Sequence, residues 1–211
     1  VTGVVVSKAS KLFGNRWLFS DLDINVSAGQ LTAITGPSGS GKSTLLNCIG
    51  LLDKLDRGQI LVGGRDISRL SAERQRKFRR DIVGYMFQDY ALVENATVQE
   101  NLEIALVAKG RSMVRSADFD GALERVGLPR RQREPVYQLS GGEQQRVALA
   151  RLILKAPSVV IADEPTGALD SENEQMVLNE LERIASEGAS VLIATHSSTV
   201  ANACSEIISL E

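Results

Sequence analysis

The chain has 211 residues, 43% of them hydrophobic and 24% charged, with a formal net charge of −2 and a pI near 5.6. That length supports one large domain with a substantial core, the lack of basic excess argues against nucleic acid, and two distant cysteines, Cys48 and Cys204, point to a reduced compartment without a structural metal. No apolar run approaches the roughly 20 residues that span a bilayer and no charged-then-apolar leader opens the sequence, which begins with Val1, so a soluble chain is expected.

Val4, Val5 and Val6 read as a strand, and Leu12 and Phe13 close a second apolar patch before the polar turn Gly14-Asn15-Arg16. Alternation returns in Leu22, Ile24 and Val26, and Ser27-Ala28-Gly29-Gln30 ends it. These runs predict an antiparallel layer over about residues 1–30, joined by a glycine-bracketed strand that brings in about 59–70. Leu31-Thr32-Ala33-Ile34 then reads as a buried strand, and Leu45, Leu46, Cys48 and Ile49 as the inner face of a helix.

Between that strand and helix stands Gly36-Pro37-Ser38-Gly39-Ser40-Gly41-Lys42-Ser43-Thr44, which fits glycine, four residues, glycine, lysine, then serine or threonine. Glycines at 36, 39 and 41 let the backbone turn several N–H groups toward one anion, and the helix adds its positive dipole end. Lys42 would reach the outer phosphates, and the Ser43 hydroxyl is a hard oxygen suited to Mg²⁺.

Residues 71–81 form a basic helix bearing Arg74, Arg76, Lys77, Arg79 and Arg80, read as a solvated face with a partner-binding patch as the alternative. Ile82-Val83-Gly84-Tyr85-Met86-Phe87 is a buried strand with Gln88 at its carboxyl end, where ligands of open α/β sheets gather. A helical insertion is expected over about residues 95–154. Two further apolar strands, Val159-Val160-Ile161-Ala162 and Ser190-Val191-Leu192-Ile193-Ala194, flank an amphipathic helix of Met176, Val177, Leu178, Leu181 and Ile184, which implies a mostly parallel sheet.

The strand at 159–162 runs into Asp163 and Glu164. Asp163 is placed to hold Mg²⁺ and Glu164 to orient or deprotonate an attacking water. His196, the single histidine, follows another strand at the same edge and is read as a γ-phosphate contact, with Gln88 a candidate for both Mg²⁺ and the water. Ser140-Gly141-Gly142-Glu143 opens a second helix with an N-capping serine and bare glycines, a second anion site by the same physics. One complete phosphate loop has no evident use for it unless it closes on a nucleotide held by another copy.

Together these segments resemble the nucleotide-binding domain of ATP-binding-cassette (ABC) proteins across essentially all 211 residues. The matching motifs are a Walker A loop at 36–44, a Q-loop at Gln88, a signature from Leu139 to Glu143, and Walker B at 159–163 with Glu164. A D-loop at Ala168-Leu169-Asp170 and a switch histidine, His196, follow. The resemblance implies an α/β P-loop NTPase with an N-terminal antiparallel subdomain and an inserted helical subdomain. It implies that ATP is cradled by Gly36, Ser38, Gly39, Ser40, Gly41, Lys42, Ser43 and Thr44, with adenine on Phe13 or, less well, Trp17. Mg²⁺ falls to Ser43, Gln88 and Asp163, and catalysis to Glu164, His196, Gln88 and Lys42. Ser140, Gly141, Gly142 and Asp170 act across a head-to-tail dimer.

The motif wording is most similar to macrolide exporters, lipoprotein-release ATPases, the cell-division ATPase FtsE and bacteriocin-type peptide exporters, though Ser197 stands where many relatives carry an acidic residue or Asn. The resemblance therefore implies an ATP-hydrolysing subunit at the cytoplasmic face of the membrane. It would drive a separate permease that exports or extracts a peptide, lipid or drug, and the segment after Gln88 would receive that permease. The alternatives are a regulator or mechanotransmitter of a cell-envelope enzyme, or a soluble ABC ATPase acting on nucleic acid or ribosomes.

Overall fold

The computed structural model describes residues 3–167 and 169–210. In chain order it opens with β1 (Val4–Phe13), β2 (Arg16–Val26), β3 (Leu31–Thr35) and α1 (Lys42–Ile49), followed by β4 (Arg57–Val62), β5 (Arg65–Asp66), α2 (Ala72–Asp81) and β6 (Val83–Met86). Helices α3 (Val98–Val107), α4 (Arg111–Ser116), α5 (Phe119–Arg125) and α6 (Gly141–Lys155) come next. The chain closes with β7 (Val159–Asp163), α7 (Ser171–Ser186), β8 (Ser190–Ala194), α8 (Ser198–Ala203) and β9 (Glu206–Ser209).

β6, β7, β8, β3 and β9, in that spatial order, make a wholly parallel sheet, while β2, β1, β4 and β5 make an antiparallel one. The continuous apolar runs of the parallel strands follow from burial on both faces. Ile34, Val159, Ile161, Leu192 and Ala194 face α1 and the antiparallel sheet; Leu31, Val160, Ala162, Val191 and Ile193 face α6, α7 and the α3 to α5 helices.

Two features depart from the reading of the sequence. Val4 to Val6 and the Leu12-Phe13 patch belong to one strand, because β1 bulges between them: its register against β2 shifts between Val6 and Ala9, and Lys8 takes φ 48°. The Asp23 carboxylate accepts from the Lys8 N–H at 2.9 Å, which satisfies the amide that the bulge frees. At the other end, β9 extends the parallel sheet beyond β3; its four residues leave Ile207 half exposed, so no buried apolar run announced it.

Close packing of β6 on α6 needs a glycine at 84, since a Cβ there would press into Leu152 and the Pro157 ring. Gly84→Ala should therefore cost about 1–3 kcal/mol. At about 2–4 °C per kcal/mol for a chain of this size, the thermal midpoint should drop by several degrees; an unchanged midpoint would contradict this packing.

Candidate active site

The parallel register brings β3, β6, β7 and β8 to the same edge, with Ile34 and Asp163 both paired to Ala194 and Met86 paired to Ala162. The loops that leave these strands line one cleft of about 770 Å³, within the range of small-molecule sites. Ser38, Gly39, Gly41, Lys42, Ser43 and Thr44 form its phosphate side. Gln88, Asp163, Glu164 and His196 close the opposite side, and Phe13 stands at the outer end, 74% exposed.

The glycines set the shape of the phosphate loop. Gly39 and Gly41 adopt φ 78° and 95°, the left-handed region open to glycine, and a Cβ on Gly41 would also press tightly on the Phe19 ring and Leu18. Lys42 is 6% exposed and its ammonium donates to the Gly36 and Pro37 carbonyls at 2.9 and 3.1 Å. Gly36 and Ser40 lie behind the loop instead of on the cleft wall: a Cβ on Gly36 would strike the Leu210 carbonyl and the Ser40 hydroxyl, and the buried Ser40 Oγ has no partner among the described residues.

Glu164 leaves β7 in a left-handed conformation, φ 46°, which a non-glycine residue adopts at a cost. Its N–H donates to Ala194 O at 3.0 Å and its Oε2 accepts from the Thr195 hydroxyl at 3.4 Å, so the end of β8 and the residue after it hold both ends of Glu164. Its Oε1 is buried without a hydrogen bond among the described residues, 3.7 Å from His196 Nε2. A buried carboxylate oxygen lacking a donor is unfavourable unless something supplies a proton, which suits a base waiting for water. Ser43, Asp163 and Gln88 offer a hydroxyl, a carboxylate and an amide oxygen, the hard donor set that Mg²⁺ takes.

Ser140, Gly141, Gly142 and Asp170 do not line this cleft. Ser140 caps α6 in a reciprocal box with Glu143: the Ser140 hydroxyl accepts from the Glu143 N–H at 3.3 Å and the carboxylate accepts from the Ser140 N–H at 2.8 Å. That backbone bond, with Arg131 adding its charge, holds Glu143 below the usual carboxylate range. Asp170 caps α7 through the Asn173 N–H at 2.9 Å. Asn173 also accepts from Arg146, and Gln145 donates to the Pro165 carbonyl, so the first turns of α6 are tied both to the start of α7 and to the loop after Glu164. Ala168 lies outside the described residues.

The sequence reading missed Arg16, Leu18 and Gly167 on the cleft wall. A hairpin signal was available, since Arg16 pairs with Phe13 across the turn and Leu18 shares its strand face. Trp17 points elsewhere, its ring 5.2 Å beneath the Arg57 guanidinium, and does not line the cleft.

Residues 19–167 match the family model described as ABC transporter. A pyoverdine export ATP-binding/permease protein of Pseudomonas fluorescens is 40% identical over 190 residues, covering 90% of this chain and 29% of that protein. A macrolide export ATP-binding/permease protein of Paracoccus denitrificans is 40% identical over 194 residues, covering 92% of this chain and again 29% of that protein. The chain thus spans under a third of the length of these relatives. Among solved structures, the dimeric bacterial ABC transporter cassette MJ0796 superimposes with a TM-score of 0.88 at 33% identity, over 98% of this chain and 94% of that one. A post-hydrolysis state of the same cassette, bound to ADP and Pi, gives 0.86 at 32% identity, over 99% and 94%.

Lys42→Ala removes the charged donor from the cleft and should weaken nucleotide binding about tenfold or more by calorimetry; equal affinity would contradict the cradle. Ser140→Ala should lower stability by about 1 kcal/mol through loss of the cap and leave nucleotide affinity of the isolated chain unchanged. Weaker binding by that variant would place Ser140 in its own chain's cleft.

Proposed function

The chain belongs to the ABC transporter family, and from that premise we propose that it hydrolyses ATP as the motor subunit or motor segment of a membrane exporter. The observation that carries this reading is the single cleft in which the phosphate loop, Gln88, Asp163, Glu164 and His196 converge. Phe13 stacks on adenine, and the β- and γ-phosphates take the N–H groups at the start of α1. Lys42 exchanges the Gly36 and Pro37 carbonyls for phosphate oxygens, trading neutral acceptors for charged ones. Ser43, Asp163 and Gln88 would hold Mg²⁺, which would supply charge neutralisation at the phosphate oxygens. The Glu164 carboxylate, its Oε1 lacking a donor among the described residues, takes the proton of the attacking water. His196, 3.7 Å from that oxygen and half exposed, contacts the γ-phosphate and steadies the carboxylate.

A complete site takes two chains. The exposed start of α6 is a second anion-binding helix end with no nucleotide of its own, and in a head-to-tail dimer Ser140, Gly141 and Gly142 of one copy cap the γ-phosphate held by the other. The solved relatives that this chain resembles include a dimeric cassette, which supports that arrangement.

Transmission to a permease runs through the segment after Gln88. Tyr90 and Ala91 hold left-handed backbone, φ 61° and 46°, because Arg151 on α6 grips their carbonyls at 2.8 and 2.6 Å. Beside them opens a groove of about 260 Å³, lined by Tyr85, Phe87, Ile104 and Ala105 and rimmed by Arg80, Arg151 and Lys155. Burial, with Lys109 and Arg151 adding repulsion, brings Lys155 down to about 8. This groove receives the permease at the cytoplasmic face of the membrane, where the cargo is a peptide, lipid or drug; that relatives are named for pyoverdine export and macrolide export supports the direction of movement.

Glu164→Gln keeps the shape of the site but removes the base. Turnover should drop by a factor of about 10² or more, while ATP still binds and a stable dimer accumulates in gel filtration with ATP. Undiminished hydrolysis would remove Glu164 from this role.

A further inference from the structure

Helix α2 carries five cations, Arg74, Arg76, Lys77, Arg79 and Arg80, against two carboxylates, and none of its residues is buried. Both carboxylates are engaged, Glu73 with Lys77 at 3.0 Å and Asp81 with Arg80 at 2.7 Å. Arg79 turns inward to the Leu51 carbonyl at 2.8 Å. Among the described residues, Arg65, Arg74 and Arg76 have no carboxylate within 4.0 Å. The chain as a whole carries −2, so this is a local concentration of charge.

A helix of ten residues whose one large apolar contact to the core is the half-buried Phe78, with like charges at i and i+4 in Arg76 and Arg80, has less packing than usually holds so short a helix. It is held at its last turn, where Arg79 and Lys155 make main-chain bonds, the latter donating to the Arg79 carbonyl at 3.0 Å. Alongside it lies a groove of about 370 Å³ with Leu70, Phe78 and Ile82 as its apolar wall, Arg65, Arg74 and Lys77 as its cations, and Asp81 at the helix end. This groove and the one beside Gln88 flank the same helix end, Asp81 lining one and Arg80 the other.

We propose that the α2 groove docks an acidic, amphipathic segment of the permease, which sets a large apolar side chain against Leu70, Phe78 and Ile82 and carboxylates against Arg65, Arg74 and Lys77; this rests on the reading that a permease binds beside Gln88. The apolar wall selects a side chain over a bare phosphate, and the two adjoining grooves let one partner engage both. Docking replaces the repulsion along α2 with attraction, so the permease also orders the helix that leads into β6 and Gln88.

The double variant Arg74→Glu, Lys77→Glu tests this, since both positions are exposed, lie outside the nucleotide cleft and keep a good helix former. Its affinity for the permease, held in nanodiscs of neutral lipid, should fall about tenfold or more, with the larger loss at low salt. ATP affinity, basal hydrolysis and the circular dichroism spectrum should match the unaltered chain. Exchanging acidic residues of the permease's cytoplasmic loops for lysine should restore binding to the double variant. Undiminished affinity overturns the proposal, as does a result in which the variant loses only binding to phosphatidylglycerol vesicles. Ala105→Glu in the neighbouring groove separates the two readings. If it abolishes permease binding while the α2 variant binds normally, docking beside Gln88 stands and the α2 proposal falls; if the unaltered chain does not bind the permease, both fall.

Discussion

Register in the parallel sheet is the constraint from which the site follows. Ala194 pairs with both Ile34 and Asp163, and Ala162 pairs with Met86, so four strands end level and their outgoing loops share one edge. A one-residue slip would turn Val160 and Ala162 from the α6 side to the α1 side and exchange every apolar contact on both faces. Because both faces are buried, the chain has no such freedom, and Lys42, Gln88, Glu164 and His196 meet although they are scattered along the sequence.

Within that frame the two kinds of anion-binding element are treated differently. In the phosphate loop the Lys42 ammonium donates to carbonyls of the loop itself. The start of α6 is clamped instead, through Gln145 to Pro165 in the loop that begins at Glu164 and through Arg146 to Asn173 on α7. In the proposed dimer this clamp has a mechanical meaning. The serine and glycines that cap the partner's nucleotide are tied to the strand end that carries their own chain's base, so occupancy of one site bears directly on the geometry of the other.

Much of this was legible in the sequence, and the reason is physical. The phosphate loop, Asp163, Glu164 and His196 each sit beside an unbroken apolar strand, and such strands announce their own ends. β9 was not legible, since an edge strand with Ile207 half exposed lacks that signal. Nor was the unity of β1, where a bulge at Lys8 breaks the alternation that marks a strand. Gly36 and Ser40 belong to the loop's motif yet support it from behind, because a motif specifies backbone shape and not which atoms face the ligand. Arg16 and Leu18 enter the cleft through hairpin pairing; the turn at Gly14-Asn15-Arg16 signals the hairpin, but no local pattern states what its face packs beside.

The division of each reaction centre between two chains is tested most directly by complementation. Lys42→Ala has a defective cradle and an intact α6 start; Ser140→Arg has the reverse. Each alone should be nearly inactive, and an equal mixture should recover hydrolysis, since half of randomly paired dimers are mixed and each holds one complete site, or about a quarter of all sites. Failure of the mixture to recover activity, or full activity of Ser140→Arg alone, would contradict the shared site.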